Sequence, residues 1–323
     1  QIGSDIDGEA AWDNSGTSVS LSADGSVVAI GAPKNGGIGQ SGHVRIYQNV
    51  NGKWTQIGSD IDGESIFAGI DSGSSVSLSA DGSVVAIGAP RYISSNQKGR
   101  VGTVRIYKNI ENTWTRIGDD IDGEAENDYS GFSLSLSADG NVVAIGAPYH
   151  DGYYLPGSGH VRIYKNVNST WTQVGTDIVG GLNHHSGYSL SLSADGNVVA
   201  VGAPFIPPSN YRDEPLSGLV CIYKNINNTW IKIGDDIKGE AASDFSGGSV
   251  SLSADGSVVA IGAPRNGGNG RNSGHVRIYQ NVNGKWTQIG SDIDGEAAWD
   301  NSGTSVSLSA DGSVVAIGAP KNG

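Results

Sequence analysis

Methionine is missing from all 323 residues, and cysteine occurs once, at Cys221. A single thiol excludes any disulfide within the chain and any cysteine-rich metal framework. The missing methionine extends to position 1, so the chain reads as a processed product or a piece of something longer. With the scarce cysteine it fits an oxidising setting, and the expected location is extracellular or at the cell surface. Positive charge is also short: 20 Lys and Arg stand against 33 Asp and Glu, a net charge of −13. No basic cluster is present, which argues against nucleic acid and anionic membrane surfaces as partners. Neither a signal peptide nor a bilayer-length apolar run occurs in these residues, so membrane insertion is not expected. Helical periodicity is absent throughout, and the expected fold class is all-β.

What is present is repetition. The first Asp of an acidic element stands at Asp5, Asp60, Asp120, Asp177, Asp236 and Asp292, spacings of 55, 60, 57, 59 and 56 residues. The 50 glycines fall at matching places in each copy and read as turns. Self-similarity at this period means stacked units, none of which buries its apolar face alone.

Within one unit, Ser18-Val19-Ser20-Leu21 alternates with period two, as a half-buried strand does. Ala23-Asp24-Gly25 predicts a tight hairpin with a primed turn. Val27-Val28-Ala29-Ile30-Gly31 is a continuous apolar run that should be buried on both faces, and Pro33 ends it. His43-Val44-Arg45-Ile46-Tyr47 alternates again, and Asn51-Gly52 turns the chain into Trp54-Thr55-Gln56-Ile57. Each repeat therefore predicts a four-stranded antiparallel meander, and about 57 residues per meander predicts a β-propeller blade. The alternative is an open β-repeat array or solenoid. The chain is expected to form a single repeat domain, 1–323. Its repeats run approximately 1–41, 42–101, 102–158, 159–217, 218–273 and 274–323, with the terminal ones incomplete.

The stretch Ser130-Gly131-Phe132-Ser133 through Ala138-Asp139-Gly140 to Ala144-Ile145-Gly146-Ala147-Pro148, then Gly159-His160-Val161-Arg162, resembles the FG-GAP repeat of integrin α-subunit propellers. Gly-Ala-Pro is kept in all six places, while Phe-Gly survives only as Ser-Gly followed by a variable residue. The resemblance implies extracellular placement and adhesion or ligand binding without chemistry. The family's metal loop, Asp-rich and before Gly-Ala-Pro, is replaced here by Ala-Asp-Gly and cannot be carried over. Residues 1–36 are identical to residues 288–323, as in a longer array of the same units.

Three groups of residues are candidates for function. The acidic elements Asp5, Asp7, Glu9, Asp13; Asp60, Asp62, Glu64, Asp71; Asp120, Asp122, Glu124, Asp128; and Asp292, Asp294, Glu296, Asp300 offer oxygen ligands that suit Ca²⁺. Solvated loops anchored by Ile6, Ile61 and Ile121 are the simpler reading of the same residues. The loops after Gly-Ala-Pro carry the aromatics Tyr92, Tyr149, Tyr153, Tyr154, Phe205 and Tyr211, suited to a sugar ring or a protein partner. Sequons at Asn168 and Asn227 mark N-glycosylation positions before Trp171 and Trp230. Trp54, Trp114, Trp171, Trp230 and Trp286 recur once per unit and read as packing between blades.

No catalytic residue is identified. His43, His160 and His275 share one repeat position and read as structural strand starters, while His150, His184 and His185 stand isolated. The expectation is therefore a non-enzymatic extracellular structural protein, a subunit of a surface filament, stalk or matrix that associates with copies of the same repeat. The alternative is an adhesion module that grips a glycan or surface protein through its variable rim loops.

Overall fold

The computed structural model describes residues 2–36, 41–64, 69–94, 99–152, 155–205 and 217–322, and every regular element among them is a strand. Tyr153, Tyr154 and Tyr211 lie outside the described residues. In the first repeat β1 (Ser18–Leu21), β2 (Val27–Ala32), β3 (His43–Val50) and β4 (Lys53–Gln56) pair in that order, antiparallel, and β5 (Ile61–Asp62) adds to β3. β3 is eight residues long and β4 only four, so β4 pairs with one half of β3 and β5 with the other. The four strands expected thus gain a two-residue fifth. Its cause is Ile61, which is buried and sets Asp62 opposite His43 in the acidic segment.

Five sheets share this order, their first strands beginning at Ser18, Ser75, Ser133, Ser189 and Ser249, and a strand pair Ser305–Leu308 with Val315–Gly318 follows. The chain divides into two compact units, residues 1–147 with 163–173 and residues 148–162 with 174–323. The first contains the first and second sheets, the second contains the fourth and fifth.

Within each unit, neighbouring sheets bury each other. Val76 and Leu78 on the first strand of the second sheet are 9% and 7% exposed, packed with Val44, Ile46 and Ile61 of the first sheet. Val19 and Leu21, at the same positions of the first sheet with no described sheet before them, are 63% and 59% exposed. Each such side chain contributes about 1.5–3 kcal/mol when covered. The glycine of Gly-Ala-Pro permits the close approach this requires: a Cβ at Gly88 would run into the Gly131 carbonyl oxygen, to which Ser75 Oγ donates at 2.7 Å. Tryptophan closes the outer side, Trp114 Nε1 donating to the Ile57 carbonyl at 2.9 Å and Trp286 Nε1 to that of Ile233 at 2.9 Å.

The two hairpins differ from each other. At Asn51-Gly52 both residues take positive φ, 53° and 82°, as a primed turn requires, and Asn49 Oδ1 accepts from Gly52 N–H at 2.9 Å. At Asp24-Gly25 only Gly25 does, at 70°, so the primed turn expected there is not formed. Instead the Asp24 carboxylate accepts from Ser26 N–H at 2.9 Å and from Ser22 Oγ at 2.7 Å, and the side chain builds the turn.

Candidate functional site

Alternation along the third strand of the fifth sheet, His275–Val282, puts His275, Arg277 and Tyr279 on one face and Val276 and Ile278 on the other. Tyr279 and Trp286 pack on Ile233 and Ile237 of the fourth sheet, so this face is turned towards it. Glu240, which follows the last strand of the fourth sheet, reaches Arg277 and lies 3.9 Å from His275 Nδ1. Asp292 comes from the fifth sheet and binds Arg277 through both its oxygens at 3.0 Å, while its partner Gln288 Nε2 lies at 2.7 Å. Burial pushes the Asp292 carboxyl up, but the bonds from Gln288 and Arg277 outweigh it and hold the group below the ordinary carboxylate range. Asp294, opposite His275 in register, completes the group at 4.0 Å from Nδ1.

The first sheet carries the same arrangement. His43 Nδ1 lies 3.8 Å from Glu9 and 3.7 Å from Asp60, and Arg45 Nη2 donates to the Asp7 carbonyl at 2.7 Å. Glu9, His43 and Asp60, and likewise Glu240, His275 and Asp292, each bring three ligand atoms within 4.8 Å of one another, groups able to hold a metal ion. The histidines read in the sequence as strand starters are thus at the centre of the charge clusters. The signal that would have found them is the in-phase His-x-Arg on a strand beside Asp-Ile-Asp. His150 is not isolated either, its ring 4.2 Å from that of His160.

The acids proposed as one calcium loop separate into two sets. Asp60, Asp120, Asp292 and Glu64 face the histidine or arginine of a third strand: Asp120 Oδ2 lies 3.0 Å from Arg105 Nε, and Glu64 lies 3.9 Å from Arg105 Nη2. Asp62 and Asp294 sit opposite His43 and His275, and Asp122 opposite Thr103, in the short fifth strand. Burial raises the Asp122 carboxyl above the ordinary range. Asp13, Asp71, Asp128 and Asp300 are buried apart from these. Asp13 accepts from Glu9 and Ser15 N–H, Asp128 from Ala125 N–H, Asp300 from Ala297 N–H, and Asp71 binds Lys34 at 2.7 Å. The bonds to Asp13, Asp128 and Asp300 lie within their own turns, whereas Asp71 reaches Lys34 and, at 3.3 Å, Arg91. Asp5, Asp7, Glu124 and Glu296 are exposed.

A cleft of about 210 Å³ adjoins the cluster on the same face, lined by Asp235, Asp236, Lys238, Tyr279, Lys285 and Trp286. Its equivalents, about 290 Å³ between Asp62 and Thr113 and about 210 Å³ between Asp122 and Thr170, carry no lysine. Of the loop aromatics, Tyr92 lies under Arg105 at 5.3 Å, and Phe205 packs on His185, Tyr188 and Phe245 at 4.5–5.3 Å, with Tyr149 5.1 Å from His185. Tyr149 is exposed, and Tyr92 and Phe205 are half-buried. Asn168 and Asn227 are exposed at turn tips with φ of 52° and 53°.

No protein-family model and no curated protein matches the chain. Solved structures do. A Bacteroides uniformis protein provisionally assigned as a 6-phosphogluconolactonase matches at 12% identity and TM-score 0.61, over 94% of this chain and 77% of its own. The periplasmic gluconolactonase of Pseudomonas aeruginosa matches at 15% and 0.57, over 87% and 72%. Hydrazine synthase of Kuenenia stuttgartiensis matches at 12% and 0.56, over 94% and 83%. The chain has the propeller fold. At these identities the likeness shows the fold alone, yet it corrects the reading of the sequence as that of a non-enzymatic filament subunit or adhesion module. Proteins on this architecture bear the names of enzymes, lactonases among them. On such a fold repetition describes the scaffold, and function lies in whatever site is set on it. No helix is long and apolar enough to cross a membrane among the described residues.

Proposed function

We propose that the protein is a propeller hydrolase that opens the lactone ring of a sugar acid on the face between the fourth and fifth sheets. The observation that carries the reading is the pair Lys238 and Lys285, lining one cleft where the equivalent clefts have Asp62 and Thr113, or Asp122 and Thr170. Repetition is broken there by Lys238, which stands where other copies have Asp62 and Asp122 and which shares the cleft with Lys285, beside a carboxylate and imidazole cluster. The half-buried Tyr279 ring offers apolar surface to a sugar ring, and the two ammonium groups suit its anionic substituent. The lactonases that share the fold support the choice of reaction.

In this reading Asp294, a partly exposed carboxylate, accepts a proton from water as the oxygen adds to the lactone carbonyl carbon. Arg277 fixes Glu240 and Asp292 and places a positive charge next to the developing oxyanion. The ring C–O bond then breaks, the leaving alkoxide takes up a proton, and a hydroxy acid is released. A divalent cation belongs to the proposal, with Glu240, His275 and Asp292 as the residues that would hold it. It would supply Lewis acidity at the carbonyl oxygen. Placement outside the cytoplasm and kinship with FG-GAP repeats, through Gly-Ala-Pro, are part of the same proposal.

The test is hydrolysis of glucono-1,5-lactone by the full chain, followed as acid release. Asp294→Asn is expected to lower kcat by about 10²–10⁴-fold, and Lys285→Ala to raise KM. Turnover no faster than the uncatalysed reaction, or indifference to both changes, overturns the reading.

A further inference from the structure

Two observations on the cluster remain unexplained by hydrolysis. The first is His275. Its side chain is 2% exposed, and Nδ1 has no hydrogen-bond partner although it faces Asp292 at 3.7 Å, Glu240 at 3.9 Å and Asp294 at 4.0 Å. Those separations are too long for hydrogen bonds and leave room between the nitrogen and the oxygens. Three carboxylates against the single Arg277 guanidinium also leave two negative charges uncompensated while the imidazole is neutral.

The second is an exchange between repeats. The position of His275 reads His43, Thr103, His160, Leu219 and His275 along the chain, and the last residue of the fourth strand reads Gln56, Arg116, Gln173, Lys232 and Gln288. Wherever the histidine stands, the partner is glutamine. Wherever it is lost, the partner is a cation. Arg116 Nη1 lies 2.7 Å from Asp120 and 3.8 Å from Glu64, and Lys232 Nζ lies 2.8 Å from Asp236. In the histidine repeats the glutamine amide contacts the same carboxylate, Gln56 at 2.6 Å from Asp60 and Gln288 at 2.7 Å from Asp292, and brings no charge.

We infer that Glu240, His275 and Asp292, and their copies Glu9, His43 and Asp60, each bind a divalent cation of the zinc or manganese kind, and that Arg116 is the protein's own substitute for it in the second sheet. An imidazole donor with two carboxylates departs from the 6–8 oxygens that Ca²⁺ takes and suits a borderline transition ion. Each site draws Glu from the segment before its sheet and His and Asp from the sheet itself, so the ion ties consecutive segments as the Arg116 to Glu64 pair does in the second sheet.

The inference deepens the hydrolytic proposal by naming its cofactor, and its test uses no substrate, so either idea can fail alone. The metal-stripped full chain is titrated calorimetrically with Zn²⁺, Mn²⁺ and Ca²⁺. The double change His275→Thr with Gln288→Arg, which copies the second sheet, is expected to remove one equivalent of Zn²⁺. The reverse change, Thr103→His with Arg116→Gln, is expected to add one, so the result does not hang on a variant that loses binding by misfolding. Zinc stoichiometry unmoved by the added site, or Ca²⁺ bound as tightly as Zn²⁺ at these sites, overturns the inference. So does a stripped protein that takes up no ion.

Discussion

Cys221 stands where the other repeats have arginine, and its surroundings show what the replacement does. Its Sγ donates to Asp236 at 3.0 Å, and burial together with that carboxylate pushes the thiol up to about 12. Tyr223, two residues on, is pushed above its ordinary range by burial and by Cys221. Since the thiolate is the nucleophile, a shift of that size leaves almost none of it near neutrality. Iodoacetamide at pH 8 should therefore alkylate Cys221 about a thousandfold more slowly than an ordinary free thiol, as mass spectrometry of the folded and urea-unfolded chains would show. At the same scale, Lys238 belongs to the fourth sheet, whose own cluster is lost, Leu219 replacing histidine and Gly181 replacing glutamate, while Lys285 stands on the fifth, where Glu240, His275 and Asp292 keep theirs.

At the scale of the element, the first hairpin of each repeat is built by an ionised carboxylate. Asp24 and Asp311 are held down to about 2, first by the backbone bond from Ser26 in one and the Ser309 hydroxyl in the other. In Asp81, Asp139 and Asp195 burial opposes the shift, and the serine and backbone bonds still lower the carboxyl. Unfolded, these groups titrate near 3.9. The folded carboxyls lie below that value, so their stabilisation is complete above about pH 4 and disappears as pH falls towards 2. Circular dichroism should show acid unfolding inside this window. Asp81→Asn should flatten the pH dependence there while lowering stability at pH 7.

At the scale of the whole molecule, stability within each compact unit is passed from one sheet to the next, as in other repeat proteins. Gly88→Ala tests this, because the added Cβ meets the backbone of Gly131 and cannot be relieved by turning a side chain. It should cost about 1–3 kcal/mol by overpacking and speed amide exchange in the second sheet and in the Gly131 turn together. Gly267→Ala, where the nearest atom is 3.7 Å away and φ is not positive, should leave both unchanged. Urea melts and hydrogen exchange on the two variants separate a shared boundary from a local turn.

The sequence by itself determined the all-β class, the period, the four long strands of each repeat and the packing role of the tryptophans. Those features rest on alternation and turn chemistry, which are local: Val19 and Leu21 point to one side whatever surrounds them. Tertiary structure decided what each face meets. Asp13 and Asp60 look alike in the acidic element, yet one folds back on its own backbone and the other reaches His43 on a neighbouring strand. His275 reads as a strand starter until Glu240, Asp292 and Asp294 are seen around it, because those groups are 35, 17 and 19 residues away in sequence and are joined only by sheet pairing and stacking. Repetition hid the site, since likeness between copies draws the eye from the positions where Thr103, Arg116 and Lys238 differ. Those differences acquire meaning only when the strands that carry them share a face.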